Sequence, residues 1–270
     1  MTLSPRHGSR NRAGTFRKLP TAIFNQSKVL RSSQVSLMES IGTPKITTLA
    51  PRELLGPLND VERKFAPSEL FAVGPMEIPL PRPRVSIIGS RNASPEGLAA
   101  AAQISSALSK KGVIIVSGLA EGIDTSAHMV AIEQGGRTIA VLGTPLNRVY
   151  PARNWQLQRE IMNSHLAISQ FRIGIPVQRK NFVMRNRTMA LISDASIIVE
   201  AGETSGSLHQ GWEALRLGRS LFIRKSIISN TPFKWPRKMM QYGALQLNDL
   251  KQVLEVLPSS KRISQITVQI

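Results

Sequence analysis

Between residues 84 and 223 the chain alternates short, almost wholly apolar runs with segments whose apolar residues recur at helical spacing. Runs at Val85–Ile88, Val113–Val116, Thr138–Leu142, Leu166–Ser169, Ser196–Val199 and Leu221–Ile223 predict strands. Pro95–Lys110, Thr125–Gln134, Asn154–Asn163, Arg187–Ile192 and Leu208–Leu217 predict the helices between them, with Ser94 as an N-cap and Pro95 at the first helical position. Strands this apolar are covered on both faces. The predicted fold class is therefore α/β: a Rossmann-like, doubly wound, mostly parallel sheet with helices on both faces. Such sheets hold their ligands beyond the carboxyl ends of the strands, which directs attention to the residues that follow each strand.

Four regions are expected. Residues 84–257 form the α/β domain, and 43–83 a proline-rich lead-in whose apolar groups (Leu54, Leu55, Phe65, Leu70, Phe71) pack on it. Residues 1–42 read as a basic, disordered arm: no acid occurs before Glu39, while Arg6, Arg10, Arg12, Arg17, Lys18, Lys28 and Arg31 do. The same makeup fits an organellar transit peptide. Residues 258–270 read as a short basic tail.

Charge narrows the class of partner. The 270 residues carry 35 Lys+Arg against 17 Asp+Glu, a formal net charge of +18, which favours polyanions such as nucleic acid or an anionic membrane surface. No apolar run approaches the roughly 20 residues of a membrane span, so a soluble, cytoplasmic protein without membrane contact is expected. With no cysteine and four dispersed histidines there is no thiol nucleophile, and neither a metal site nor a cofactor is expected.

After the first predicted strand, Gly89-Ser90-Arg91 offers a close-approach glycine, a hydroxyl and a bidentate guanidinium near a helix start. Arg91 stands where a dinucleotide turn would have its second glycine, which argues against a bound pyrophosphate there. After the second strand, Ser117-Gly118 leads to Asp124 and His128, an i,i+4 pair able to share a hydrogen bond as a structural unit. After the fourth, no acid occurs between Glu160 and Asp194, and Arg172, Arg179, Lys180, Arg185 and Arg187 crowd around Phe182. Cations beside an aromatic ring suit single-stranded nucleic acid. A solvated basic loop with Phe182 in the core fits the same composition. After the fifth, Ser205-Gly206-Ser207 opens a helix and offers amides to an anion, with Glu200 and Glu203 close by. A further acid-free stretch, Ala214 to Asn248, includes Lys225.

Read in order, Gly89-Ser90-Arg91, Ser117 to Asp124 with Ala127-His128, Gly135-Gly136 to Tyr150-Pro151, Phe182-x-x-Arg185-Asn186-Arg187, and Val199-Glu200-Ala201 to Ser205-Gly206-Ser207 resemble the DNA-processing protein A (DprA, or Smf) family over about Leu54 to Leu257. The resemblance implies an extended Rossmann-like domain that binds single-stranded DNA without sequence preference, forms a homodimer and helps load a RecA-type recombinase during transformation, without being an enzyme. It makes Arg91 the phosphate-binding arginine, Arg179 the basic residue before the Phe-x-x-Arg-Asn-Arg block, and Phe182 the base-stacking ring. The candidate set for DNA contact is Ser90, Arg91, Ser117, Gly118, Arg179, Lys180, Phe182, Arg185, Arg187, Gly206, Ser207 and Lys225.

The chain departs from the family pattern at Pro145, where a Gly is usual, at Gln170, at Gln210-Gly211 and at Lys225-Ser226. The winged-helix domain of many members is expected to be absent, since little follows Leu257. Two other readings remain: a nucleotide or phosphoribosyl hydrolase of the same superfamily, whose Gly-Gly-x-Gly-Thr turn this chain lacks, and a nucleotide sensor.

Overall fold

The computed structural model describes residues 45–230 and 232–258. The N-terminal arm and nearly all of the basic tail lie outside the described residues.

Among the described residues, nine strands form one sheet in the order β1-β2-β6-β5-β4-β3-β7-β8-β9. Its centre is β3 (Arg84–Gly89). The chain steps outward on one side through β4 (Ile114–Ser117), β5 (Thr138–Leu142) and β6 (Leu166–Ser169), then crosses back to place β7 (Ala195–Glu200) against β3. It continues on the other side through β8 (Ser220–Arg224) and β9 (Leu245–Leu247). These seven strands are parallel, and the reversal of direction between β3 and β7 is the switch point at which such sheets open a crevice.

Side-chain alternation assigns each strand to two layers. On β4, Ile114 and Val116 join a core with Ile88, Ile139, Ile198, Leu221 and the helix residues Met189, Ile192, Trp235 and Met239. Ile115 points to the opposite core with Val85, Ile87, Ile197, Phe222 and Ala101, Ile104, Leu108, Ala127 and Val253. The second face is clothed by α3 (Pro95–Ser109), α4 (Ile123–Glu133) and α10 (Leu250–Val256); α6 (Arg179–Ile192), α7 (Ser207–Arg216) and α9 (Trp235–Gln241) serve the first. The expected cap is present: Ser94 Oγ accepts from Gly97 N–H at 3.0 Å, with Pro95 at the first turn.

The lead-in contains two strands, β1 (Thr47–Leu49) and β2 (Leu70–Val73), and two short helices, α1 (Pro51–Leu55) and α2 (Asp60–Phe65). Strand β2 pairs antiparallel with β6 and extends the sheet; Leu54 and Leu70 are fully buried. After β8 come α8 (Lys225–Asn230), α9, β9 and α10 (Leu250–Val256), and α5 (Trp155–Ser164) precedes β6.

The largest departure from the sequence pattern is α6. It begins at Arg179, eight residues before the predicted start at Arg187. Its inward face carries Asn181, Arg185, Asn186 and Thr188 as well as Met189, so its first half buries polar groups and shows no apolar stripe.

At the amino end of β3, away from the crevice, Arg84 is buried. Its N–H donates to Asp194 Oδ2 at 2.8 Å, Nε to Ile192 O at 2.6 Å and Nη1 to Leu80 O at 2.9 Å. Burial lowers its pKa to about 10, and the Asp194 charge opposes that. This cluster ties the lead-in and the end of α6 to the sheet.

Candidate nucleic-acid interface

A cavity of about 460 Å³ opens at the switch point, beyond the carboxyl ends of β3 and β7. Its first wall is the turn Gly89-Ser90-Arg91-Asn92. A Cβ at residue 89 would lie 2.6 Å from Ile123 Cγ1 and 2.7 Å from Glu200 O, so only glycine lets β3, β7 and α4 meet here. Ser90 N–H donates to Glu200 O at 2.7 Å and Ser90 O accepts from Ile123 N–H at 3.2 Å, which pins the turn to both neighbours.

The floor is the turn after β4. Ser117 is buried and its hydroxyl donates to Ile87 O at 2.7 Å. Asp124 Oδ2 accepts from Gly118 N–H at 3.1 Å and Ala120 N–H at 3.3 Å, so this carboxylate serves to hold the turn in which Leu119 adopts a left-handed φ of 57°. Arg185 lies beneath, its Nη1 donating to Val141 O at 2.8 Å and to Gly118 O, its Nε to Asn186 Oδ1 at 3.0 Å. Burial raises the Asp124 pKa, opposed mainly by the Arg185 charge; burial lowers the Arg185 pKa, opposed by Asp124.

The expected Asp124–His128 hydrogen bond is not formed. Asp124 turns back to the amides of residues 118 and 120, whereas His128 is fully buried with Nδ1 2.7 Å from Thr138 Oγ1. The Thr138 hydroxyl in turn donates to Ile115 O at 2.9 Å, linking the ring to β4. Burial lowers the His128 pKa to about 3, and this imidazole is a neutral core group.

The second wall is an aromatic step. The half-buried Phe182 ring lies 5.1 Å from that of Tyr150 at 51°, with Tyr150 46% exposed. Arg91 Cζ sits 5.7 Å from the Phe182 centroid. Arg91 is exposed, and no carboxylate among the described residues pairs with it.

Opposite, the loop after β7 contributes Gly202, Thr204, Ser205, Gly206 and Ser207. Asn186 Nδ2 donates to Gly206 O at 3.0 Å, holding the loop to α6. Both nearby acids face elsewhere: Glu200 accepts from Ser94 N–H at 2.9 Å and Ser94 Oγ at 2.5 Å, and Glu203 accepts from Lys234 N–H at 3.2 Å. The cavity thus presents hydroxyls, amides, one free guanidinium and an aromatic edge.

The family model for DNA recombination-mediator protein A matches residues 54–258. The chain belongs to the DNA recombination-mediator protein A family. It is 41% identical over 189 residues to the DNA processing protein DprA of Streptococcus pneumoniae (70% of this chain, 66% of that protein). It is 33% identical over 192 residues to that of Bacillus subtilis (71% and 65%). It thus spans less than two thirds of the length of these relatives. The crystal structure of the S. pneumoniae protein superposes with a TM-score of 0.67 at 31% identity, covering 83% of this chain and 78% of that one. DNA processing protein A from Helicobacter pylori, at 24% identity and a TM-score of 0.64 (78% and 94%), shares the fold.

Within this family framework the candidate residues divide. Ser90, Arg91, Phe182, Arg185, Gly206 and Ser207 line the cavity. Ser117 and Gly118 lie under it as scaffold, and Arg179 and Lys180 stand exposed on the first turn of α6 and are not among the residues that line it. Arg185, expected among the phosphate-binding cations, is only 5% exposed and gives its N–H groups to carbonyls. Arg187 leaves the site: it projects to another face of α6, where its Cζ lies 5.7 Å from the Phe65 ring and Nε 3.4 Å from Glu213 Oε2. Lys225 is exposed past the carboxyl end of β8 and does not line the cavity. Of the family departures, Pro145 is buried in a turn closed by Arg148 N–H at 2.9 Å, Gln170 meets the Thr188 hydroxyl, and Gln210 Nε2 donates to Ser196 Oγ at 2.9 Å.

Sequence reasoning overlooked Tyr150 and Gly143, which meet the Phe182 ring: the two rings lie 5.1 Å apart, and a Cβ at residue 143 would fall 2.5 Å from Phe182 Cδ1. Tyr150-Pro151 stood within a family block, but only the fold brings its ring to Phe182.

Proposed function

We propose that this cavity binds single-stranded DNA without sequence preference, and that the protein is a non-enzymatic DNA-processing factor. The observation that carries the reading is the group Arg91, Phe182 and Tyr150: a free guanidinium for a phosphate beside a half-exposed ring for a base. A recessed ring reaches a base only when that base is unpaired, because duplex stacking covers its faces. Hydroxyls and amides after β3 and β7 suit phosphate oxygens and carry no base code. The H. pylori protein of the same fold is described for its single-stranded DNA binding mode, which agrees with this reading.

A hydrolytic role finds less support. Asp124 is the one carboxylate lining the cavity and is engaged with two amides; Glu200, the acid a base-releasing enzyme would use, is bound to Ser94. The family resemblance extends the proposal to a cytoplasmic homodimer that protects the strand and helps load a RecA-type recombinase.

Fluorescence anisotropy with a single strand, its duplex and a nucleoside monophosphate across a salt series tests the reading. Single strands are expected to bind tightest, and Arg91→Ala to lower both affinity and the magnitude of the salt slope by about one unit. Tight binding of the monophosphate with none of oligonucleotides would overturn it.

A further inference from the structure

Past Tyr150 the chain makes a single 3-10 turn, Ala152–Asn154, and enters α5 with Trp155 at its first position. The inward side of α5 is apolar, with Leu157 and Ile161 packed in one core with Phe71, Leu142 and Leu146. Trp155 stands outside that core and is 38% exposed. The helix and the loop before it are locked together. Buried Gln158, one turn after Trp155, donates Nε2 to Leu146 O at 3.3 Å and to Arg148 O at 3.2 Å. Asn154 Nδ2 donates to Leu119 O and to Thr125 Oγ1, both at 2.9 Å. Trp155 and Arg159 lie one turn apart on the flank of α5 next to Gln158, and so beside the loop that ends in Tyr150.

The charge on this flank is positive and free. Residues 134–159 contain no acid and four arginines. Arg137 pairs with Glu77 and Arg153 with Glu121, each at 3.0 Å. Arg148 and Arg159 are exposed, and among the described residues no carboxylate pairs with either. Neither neighbouring acid opposes them: Glu121 has Arg153 as its counter-ion, and Glu160 lies about 100° further round α5 than Arg159. There Glu160 faces His165, where its charge opposes the lowering of the His165 pKa by burial. An exposed indole flanked by two free guanidiniums repeats the chemistry of Phe182 and Arg91, five residues past the Tyr150 ring.

Given single-strand binding at the Phe182 cavity, on which this rests, we infer that Trp155, Arg148 and Arg159 form a second stacking step. A strand leaving the cavity crosses Tyr150 onto the amino end of α5, a base lies on the Trp155 ring, and the two arginines take the adjoining phosphates.

Trp155 is the most exposed of the three tryptophans, Trp212 being half-buried and Trp235 buried, so its emission reports a base stacked on it. The test titrates an oligothymidylate of about 16 nucleotides, the upper end of ordinary single-strand site sizes, into the full chain. Tryptophan emission and anisotropy are read together across a salt series. The strand should quench the wild-type emission. Trp155→Phe should keep affinity within about twofold and lose most of the quenching, whereas Trp155→Ala should weaken binding roughly tenfold with an unchanged salt slope. Arg148→Ala combined with Arg159→Ala should reduce the magnitude of the slope by about 1.4, the value for two phosphates of a single strand.

Quenching that is absent at saturation, or that survives Trp155→Phe and so belongs to Trp212, would refute the second step. Weakening by Trp155→Ala without quenching of the wild type would assign the ring to packing and refute it equally. Affinity and slope untouched by the Trp155 and arginine variants, with Arg91→Ala still effective, would remove the second step and leave the first reading intact. If the wild-type chain did not bind the strand at all, the first reading itself would fall.

Discussion

Gly143 backs the Phe182 ring so closely that a Cβ at residue 143 would stand 2.5 Å from Phe182 Cδ1. The ring is thus held between the end of β5 and the cavity, with its orientation set by the absence of a side chain behind it. Gly143→Ala is expected to displace the ring and cost about 1 to 3 kcal/mol of single-strand affinity, as Phe182→Ala should. Because both act through one ring, the double variant should be little worse than Phe182→Ala alone in a binding cycle.

Arg91 and Arg185 should part in their effects. Arg185→Ala leaves the carbonyls of Gly118 and Val141 without donors and Asp124 without its neighbouring charge, so about 3 kcal/mol or more of stability is expected to be lost. Arg91→Ala touches no buried partner and should change urea denaturation by less than about 0.5 kcal/mol while weakening DNA binding.

Arg187 gives the converse control. It belongs to the Phe65, Glu213 and Arg216 cluster, with Arg216 Cζ 5.2 Å from the same ring. Arg187→Ala is expected to leave affinity and salt slope unchanged and to cost about 0.5 to 1 kcal/mol of stability. A fall in the salt slope like that of Arg91→Ala would return Arg187 to the DNA contact set.

His128 makes stability depend on pH. Its folded pKa, lowered to about 3, lies below the unfolded value near 6.5, so between these limits the unfolded chain binds more protons. Its contribution is complete above about pH 6.5 and is lost as pH falls toward 3, at about 1.4 kcal/mol per pH unit. The unfolding free energy of His128→Gln should show that much less slope between pH 6 and pH 4, roughly, than the wild type in denaturant titrations, a comparison in which the opposing rise at Asp124 cancels.

Much of the architecture is legible in the sequence. The runs around Ile87, Ile115, Ile139, Ile168, Ile197 and Phe222 are strands because a parallel sheet covered on both faces must be apolar at every position. Their order and the turn residues Gly89-Ser90-Arg91 and Ser205-Gly206-Ser207 locate a ligand crevice at strand ends. The lead-in strand β2 gives no such signal: it pairs with β6, about 100 residues on, and its four residues could equally pack as a loop.

Tertiary structure alone decided which charges stay unpaired at the crevice. Hydrophobic periodicity records only what is buried by apolar side chains, and the inward face of α6 is built from Asn181, Arg185, Asn186 and Thr188, so its first half carries no stripe. Arg185 and Arg187 look equivalent along the chain, two residues apart in one basic block. The helix turns them to different faces, one to carbonyls 67 and 44 residues distant, the other to Phe65 and Glu213, and leaves Arg91 as the free guanidinium beside Phe182. Composition sets how much charge a protein carries; long-range packing sets which of it stays unpaired and therefore available to a phosphate.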